Sequence, residues 1–251
     1  MLALHFLEVF KMKKHCLNIF LLFAIISFSN CNSEYKENYF SYTKSKIWAH
    51  RVNTPEEANR KIALFDGIEV DLVYDTITGN LYVSHDIGDN SLTFNDYLAQ
   101  LNNTQTHYWL DVKNLYDNAD AIFDVINSLA NRYNFKNNFF VESWSTSAIK
   151  KAKKKGLVTS LWVDNIAIDN EPDTAAWHAK VMRQIETAQP DAISADYRMW
   201  KIIKQYFPDK NIHLWHTPAD YNEENAQLTK EMCQDEQVKV VLVDYDEPIL
   251  Y

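Results

Sequence analysis

The sequence predicts an α/β fold, and more specifically a (β/α)8 barrel of the TIM type. Strand-like apolar runs alternate with helix-like runs from Lys46 onward, and the gaps between them are short. Eight strand–helix units in succession are typical of a parallel sheet that closes into a barrel. The length of 251 residues also suits one such barrel. An open, doubly wound parallel sheet is the alternative that this pattern leaves.

The individual elements follow from local periodicity. Short runs rich in β-branched and aromatic residues predict the strands, and longer amphipathic runs predict the helices. In chain order the predicted strands cover 46–51, 67–74, 80–84 (a short extra strand), 107–113, 139–144, 159–163, 191–196, 211–216 and 238–244. The predicted helices cover 55–64, 92–101, 117–133, 146–155, 173–188, 197–207 and 223–235.

The composition excludes several functional classes. The formal net charge is −9, and an acidic domain is poorly suited to binding nucleic acid through its electrostatic field. The four glycines form neither the GxGxxG pattern of dinucleotide sites nor the phosphate-binding GxxxxGK[ST] pattern. Acidic clusters do attract divalent cations, so a site for Ca²⁺ or Mg²⁺ is compatible with this charge.

The N-terminus has the pattern of an export signal. Lysines within residues 11–14 precede an apolar stretch over 17–29, which is too short to span a bilayer comfortably. Cys31 follows this stretch, as in the lipobox of bacterial lipoproteins, although Asn30 stands where a small residue is expected.

These features predict the organisation of the chain. We expect residues 1–30 to be a signal peptide of the lipoprotein type, with Cys31 as the lipid anchor. Residues 31–45 are predicted to be a tether, and 46–251 a single catalytic barrel domain. The protein would then be exported and held at a membrane of a bacterial envelope. The alternatives are an ordinary signal peptide and a translation start at Met12.

A cluster of polar residues lies within or directly after the first predicted strands. Glu69 and Asp71 are two residues apart in one strand, so both point to the same face of the sheet. Charged groups at such positions are costly to bury unless they pair or hold a metal ion. Because catalytic groups of such barrels lie at the C-terminal ends of the strands, this cluster is a candidate site. Its members are His50, Arg51, Glu69, Asp71, His85, Asp111 and Lys113.

The residue types in this cluster suit phosphodiester chemistry. Glu69, Asp71 and Asp111 offer three hard oxygen ligands for one divalent cation, Ca²⁺ or Mg²⁺. Arg51 and Lys113 supply positive charge for a phosphate group. The two histidines are suited to flank a reaction centre, where one takes a proton and the other gives it.

The same residues resemble those of a known family. The pattern HR…NT…A…GIExD…GxLxVxHD is similar to that of the glycerophosphodiester phosphodiesterases, which belong to the PLC-like phosphodiesterase barrel superfamily. The matching residues are His50, Arg51, Asn53, Thr54, Ala58, Gly67, Ile68, Glu69, Asp71, Gly79, Leu81, Val83, His85 and Asp86. Looser matches are 110–113, 142–144, Trp215 and 243–245.

The resemblance implies a role for each matched residue. It makes His50 and His85 the general acid and base, and it assigns phosphate binding to Arg51 and Lys113. It assigns metal binding to the three carboxylates, and it implies attack by a neighbouring hydroxyl of the substrate, often through a cyclic phosphate. The implied substrate is a glycerophosphodiester or a related phospholipid headgroup ester.

Three departures from the family pattern concern the substrate. Val52 replaces the glycine that usually follows His-Arg. Asp111 stands where the phosphodiesterases usually have Glu, and Asp-x-Lys is more similar to the sphingomyelinase D and menorin-like branches. The small insertion that usually follows the His85-Asp86 pair is missing. A non-catalytic, menorin-like cell-surface binding protein on the same barrel therefore remains the alternative function.

Further polar and aromatic residues receive provisional interpretations. Glu142 and Trp215 are possible substrate contacts, and burial of Glu142 beside a lysine is the alternative. Trp109 and Trp144 are expected in the core. Asp86 is expected to orient His85 or to cap a turn. The remaining expectations concern turn caps at Asp196 and Asp244, structural roles for His107, His178, His213 and His216, and a solvated lysine run over 150–155. The oligomeric state is not predicted.

Overall fold

Eight parallel strands form a closed barrel in the computed structural model, which describes residues 40–166, 173–218 and 222–246. The strands are β1 (Ile47–Ala49), β2 (Gly67–Asp75), β3 (Asn80–Val83), β4 (His107–Val112), β5 (Phe139–Ser143), β6 (Val158–Trp162), β7 (Ala192–Asp196), β8 (Asn211–Trp215) and β9 (Val238–Val243). The order around the barrel is β1-β2-β4-β5-β6-β7-β8-β9. The predicted strands are all present.

Strand β1 closes the barrel because it pairs with both the second and the last strand. Ile47 pairs with Val241 of β9, and Ala49 pairs with Ile68 of β2. Both pairings are parallel. The short strand β3 lies outside this ring and pairs antiparallel with the far end of β2. The prediction of a (β/α)8 barrel is thus confirmed, and the open doubly wound sheet is wrong.

The helices follow the strands as predicted. They are α1 (Pro55–Lys61), α2 (Phe94–Ala99), α3 (Leu115–Arg132), α4 (Thr146–Lys154), α5 (Thr174–Ala188), α6 (Trp200–Tyr206), which continues a 3-10 turn at Tyr197–Met199, and α7 (Glu223–Gln234). Several helices have a side-chain N-cap. In α1 the Thr54 hydroxyl accepts from the amide of Glu57 at 3.2 Å, and Pro55 is the first helical residue. At the surface, Lys151 of α4 pairs with Asp120 of α3, and Lys155, which directly follows α4, pairs with Asp124.

An aromatic cluster fills the barrel interior. Its members come from five strands on opposite sides of the ring, so their contacts run across the interior. They are Trp48, Trp109, Phe140, Val158, Val240 and Leu242. The Phe140 ring lies 5.1 Å from that of Trp109 and 5.7 Å from that of Trp48. This apolar packing makes the interior a core rather than a pore.

Residues 40–45 cover the N-terminal end of the barrel. The Tyr42 hydroxyl lies 3.1 Å from Nε2 of His213, whose Nδ1 lies 2.9 Å from the Ser160 hydroxyl. The Thr43 hydroxyl accepts from the Trp48 indole at 2.8 Å. Burial lowers the pKa of His213 to about 3, so its imidazole is neutral. The predicted boundary between tether and barrel at Lys46 therefore lies inside the packed unit.

The predicted signal peptide and lipid anchor lie outside the described residues. This applies to residues 1–30, to Cys31 and to the tether as far as residue 39. Within the described part of the chain, the helices are too short or too polar to cross a membrane.

Candidate active site

The predicted site residues converge at the C-terminal end of the barrel because of strand register. His50 and Arg51 directly follow β1, whose last residue pairs with the residue before Glu69. On the next two strands, Asp71 pairs with Asp111, and Asp111 pairs with Glu142. The groups therefore lie at nearly the same height around one rim, although 92 positions separate the first from the last. 

Three carboxylates form the centre of the site. One oxygen each of Glu69, Asp71 and Asp111 lies within 4.8 Å of the others. Burial, reinforced by the charges of Asp71 and Asp111, raises the pKa of Glu69 well above its usual value. Such close carboxylates repel one another unless a cation lies among them. The donor set, three hard oxygens on a rigid sheet, fits Ca²⁺ or Mg²⁺.

Lys113 partly neutralises this cluster. Its ammonium contacts Oδ1 of Asp71 and lies 2.5 Å from Oδ2 of Asp111. Burial disfavours the charged ammonium, but the two aspartates outweigh it and raise the pKa of Lys113. Burial likewise opposes ionisation of Asp71, yet Lys113 and Asn53 lower its pKa. Lys113 is thus bound to the predicted metal ligands, and a metal ion would compete with it for them.

Backbone and amide groups fix the orientation of two of the carboxylates. Asn53 donates to Oδ2 of Asp71 at 2.7 Å and accepts from the Asp71 amide at 3.0 Å. The Arg51 amide donates to Oε2 of Glu69 at 2.6 Å. Arg51 has φ of 51°, a left-handed conformation that is costly for a residue with a side chain. This strained turn directs both the Arg51 amide and its guanidinium into the site.

His50 is held by a carboxylate from the opposite end of the chain. Its Nδ1 lies 2.7 Å from Oδ1 of Asp244, which directly follows β9. Because a carboxylate accepts, the proton lies on Nδ1, and Nε2 is left for chemistry. That Nε2 lies 4.0 Å from Oε2 of Glu69. A turn cap was expected at Asp244, whereas its carboxylate contacts the imidazole of His50. Asp196, in contrast, caps its turn as predicted.

The two ring nitrogens of His85 contact a guanidinium and a carboxylate. Its Nε2 lies 3.1 Å from the guanidinium of Arg51, and its Nδ1 lies 3.3 Å from Oδ1 of Asp86. A guanidinium can only donate, so Nε2 of His85 is the acceptor and Nδ1 carries the proton toward Asp86. The prediction that Asp86 orients His85 is confirmed by this contact.

A cavity of about 460 Å³ opens among these residues. Charged groups of β1, β2 and β4 line one side: His50, Arg51, Glu69, Asp111 and Lys113. Aromatic residues of β5, β6 and β8 line the other side: Trp144, Trp162 and Trp215. This volume is in the range of small-molecule sites.

Two of these tryptophans were missed or misassigned by sequence reasoning. The expectation that Trp144 lies in the core is wrong, since 51% of its surface is exposed. Trp162 is 39% exposed and was not singled out. Both lie at or just beyond the C-terminal end of a parallel strand, which is the signal that could have identified them. Trp109 is buried, as predicted.

Glu142 is buried beside this aromatic side. Its Oε2 accepts from the Trp109 indole at 3.0 Å, while Oε1 has no hydrogen-bond partner among the described residues. Burial, followed by the charge of Asp111, raises the pKa of Glu142 to about 8. The nearby Ser194 hydroxyl lowers the pKa of Glu142 in part. The hydroxyl oxygen of Ser194 also lacks a hydrogen bond among the described residues.

Comparison with known proteins shows similarity at the level of structure. No family model matches the sequence, and no curated protein matches it. A candidate glycerophosphoryl diester phosphodiesterase from Silicibacter pomeroyi superposes with a TM-score of 0.60 at 11% identity, over 86% of this chain and 95% of that one. A glycerophosphodiester phosphodiesterase from Parabacteroides distasonis gives 0.56 at 14% identity, over 81% and 94%.

A third similar structure contains a bound product. It is an Oleispira antarctica phosphodiesterase in complex with sn-glycerol-3-phosphate, with a TM-score of 0.54 at 14% identity, over 82% of this chain and 94% of that one. At such identities the similarity establishes the fold. The chain therefore has the (β/α)8 barrel fold of the glycerophosphodiester phosphodiesterases.

Proposed function

We propose that the protein is a metal-dependent phosphodiesterase that hydrolyses glycerophosphodiesters or related phospholipid headgroup esters. One observation carries this proposal: His50, held by Asp244, lines the same cavity as Glu69 and Asp111 of the carboxylate cluster. The cationic side chains of Arg51 and Lys113 line it as well. Each group has a use in phosphodiester cleavage, and the shared fold agrees with it. Fold alone would not decide the activity.

Arg51 and Lys113 are proposed to bind the phosphate. Both line the cavity, and a guanidinium pairs well with phosphate oxygens. Glu69, Asp71 and Asp111 would hold the divalent cation, Ca²⁺ or Mg²⁺. When bound, that cation supplies positive charge that polarises a phosphoryl oxygen. Lys113 would then be released from Asp71 and Asp111 and become available to the phosphate.

His50 and His85 are proposed to move the protons. In each imidazole a carboxylate occupies Nδ1, so Nε2 is the working nitrogen. One Nε2 takes the proton from the attacking hydroxyl, and the other gives a proton to the leaving oxygen. Arg51 links the two parts of the site: it binds Nε2 of His85, and a phosphate that attracts the guanidinium would free this nitrogen.

An activity screen with a metal series tests the function. Purified protein would be incubated with glycerophosphodiesters, lysophospholipids and sphingomyelin in the presence of Ca²⁺, Mg²⁺ or chelator. We expect metal-dependent release of an alcohol or of a phosphomonoester from at least one class. If no class is hydrolysed with either metal, the menorin-like, non-catalytic binding protein becomes the better description.

We propose separately that the protein is an exported lipoprotein anchored to a membrane through Cys31. The support is the sequence pattern over 1–31 alone. Diacylation of one cysteine supplies the two lipid chains that stable anchoring requires. Fractionation of cells that express the wild type and Cys31→Ala tests this: wild type is expected with membranes and the variant in the soluble fraction. A soluble wild type would contradict the proposal.

A further inference from the structure

A buried lysine joins the first helix to the chain segment that follows the last strand. Lys61 is the final residue of α1, and only 2% of its surface is exposed. Its ammonium contacts Oδ1 of Asp246 and lies 3.5 Å from the carbonyl oxygen of Tyr245. A lysine is almost never buried to this extent unless it is paired. The positive charge is therefore held at one place, beside the segment that follows β9.

The surroundings of Lys61 fix the direction of its side chain. The ammonium lies 5.3 Å from the centre of the Phe65 ring, which is the distance of a cation–π contact. Arg60 contacts the other carboxylate oxygen of Asp246, but its side chain is half exposed. Lys61 lowers the pKa of Asp246 with the help of Arg60, although burial opposes this. The carboxylate is thus bound by two neighbouring residues of one helix, of which only Lys61 is buried.

Helix α7 binds the same segment through Tyr245. The Tyr245 side chain is buried, and its hydroxyl donates to Oγ1 of Thr229 at 3.2 Å. Residues 245 and 246 are therefore each fixed by a side chain of a different helix. This leaves the backbone directly after β9 little freedom to move.

The same segment carries the carboxylate that holds His50. Asp244 lies two residues before Asp246, and its Oδ1 lies 2.7 Å from Nδ1 of His50. His50 itself lies between β1 and α1. Two contacts thus join the same two parts of the chain, the unit of β1 and α1 and the segment after β9. Catalytic groups need to be held within about 0.5 Å of their productive geometry, and a second fixed contact nearby provides this.

We propose that Lys61 and Asp246 form a positioning pair, which fixes the segment after β9 so that its other carboxylate stays against His50. This rests on the proposed function, because it gives His50 a role in proton transfer. Among the described residues, Lys61 is not part of the cavity lining, so it acts through the segment 244–246 and not on the substrate. Stability alone explains such a pair poorly, since neutral replacement of both partners of a buried ion pair often costs nothing.

The double variant Lys61→Met/Asp246→Asn separates positioning from stability. It removes both charges and keeps side chains of similar size, so no ammonium remains buried without a partner. We expect a melting temperature near that of the wild type, a kcat lowered about 2- to 10-fold and a KM that changes little, which is typical of residues that act through others. Steady-state kinetics and thermal unfolding measure these quantities. A folded double variant with wild-type kcat would overturn the positioning pair.

Two further variants complete this experiment. Arg60→Gln is the matched control, because it removes the exposed partner of the same carboxylate and should keep wild-type kcat. If the double variant does not fold, Lys61→Met alone gives the same test, since Arg60 still neutralises Asp246. A loss of kcat in Arg60→Gln as large as that in Lys61→Met would show that any charge near Asp246 has this effect, and would contradict the proposal.

A second background shows whether the pair acts through Asp244. In Asp244→Asn the carboxylate that holds His50 is already lost. Lys61→Met should therefore cause no further loss of kcat in this background, because residues that act as a unit are not additive. Independent contributions would multiply, and a multiplied loss would contradict the proposal.

A measurement without substrate separates this proposal from the proposed function. In ¹H–¹⁵N spectra at constant metal concentration, the Nδ1 proton of His50 reports its hydrogen bond to Asp244. We expect Lys61→Met/Asp246→Asn to shift or broaden this signal and Arg60→Gln to leave it unchanged. If the signal changes but no diester is hydrolysed, the positioning pair stands and the phosphodiesterase proposal fails. If diesters are hydrolysed and neither the signal nor kcat changes, the positioning pair is wrong and the phosphodiesterase stands.

Discussion

The two ends of the barrel use the same residue types for opposite purposes. At the N-terminal end, His213 is buried between Tyr42 and Ser160, and burial keeps its pKa low and its ring neutral. At the C-terminal end, His50 is partly exposed and is held by Asp244. One histidine therefore packs inside a closed interior, and the other lines an open cavity.

This contrast shows that the neighbours of a residue determine its role. At the N-terminal end, the few polar groups of the interior bond to hydroxyls and indoles, which cost little to bury when they are hydrogen-bonded. At the C-terminal end, several carboxylates lie close together, and Lys113 only partly neutralises their charge. We expect the C-terminal end to determine activity and the response to metal, and the N-terminal end to determine how stability responds to acid. Four predictions test this division.

Removal of either proposed catalytic histidine should have the largest effect. His50→Ala and His85→Ala should each lower kcat/KM by about 10²–10⁴-fold, because each removes a general acid or base. His107→Ala is the matched control at the N-terminal end, where its ring contacts the Ser41 carbonyl. Steady-state kinetics on the best substrate would measure all three. A comparable loss in His107→Ala would break the division between the two ends.

Metal binding to the carboxylates at the C-terminal end of the barrel should stabilise the fold. A cation at about 100 times its dissociation constant contributes about 2.7 kcal/mol, so the melting temperature should rise with Ca²⁺ or Mg²⁺ relative to chelator. Glu69→Gln/Asp71→Asn should lose this shift. Asp66→Asn, whose carboxylate lies at the N-terminal end beside the Ser45 amide, should keep it. A shift that survives in the double variant would place the ion elsewhere.

Lowering the pH should destabilise the fold through His213 at the N-terminal end of the barrel. The pKa of His213 is about 3 in the folded state against 6.5 for an unperturbed histidine, so the unfolded chain binds the proton more readily. This contribution is fully favourable above pH 6.5 and is lost as the pH falls toward 3. Between pH 7 and pH 5 the loss is about 2 kcal/mol. Urea unfolding of wild type and His213→Gln should show a smaller loss in the variant, and identical losses would contradict the assignment.

Asp244→Asn should have the smallest effect of the four. The amide keeps the shape of the carboxylate but can donate to Nδ1 of His50, which favours the wrong tautomer. Because Asp244 acts through His50, we expect a loss of about tenfold in kcat/KM and an altered pH profile. The metal-induced rise in melting temperature should remain. A variant with wild-type kinetics at every pH would show that Asp244 is only a structural partner.

Much of the fold could be predicted because strands and helices have local signals. The runs 107–113 and 238–244, for example, are strongly apolar, and each observed strand begins at the predicted residue and ends one residue earlier. The carboxylate cluster could also be predicted, because Glu69 and Asp71 share a face by spacing alone and Asp111 is in register with Asp71.

The missed features depend on contacts between distant parts of the chain. Asp244 meets His50 only because β9 pairs with β1, and a residue at a strand end has no local mark that distinguishes a cap from a catalytic partner. The packing of residues 40–45 was missed for a related reason. The polar sequence of residues 40–45 is typical of a tether, and only the aromatic interior explains why Tyr42 packs there, partly buried against His213.

The closure of β1 against β9 has a consequence for synthesis. During translation, β1 is completed early and β8 late. Each of these strands has one edge without a hydrogen-bonded neighbour until β9 lies between them. His50 is made at the start of the domain, but its carboxylate partner is the residue that follows the final strand. A nascent or truncated chain that stops before Asp244 therefore lacks both the closed barrel and an oriented His50. Closure of the barrel and orientation of His50 therefore both depend on the synthesis of β9 and Asp244.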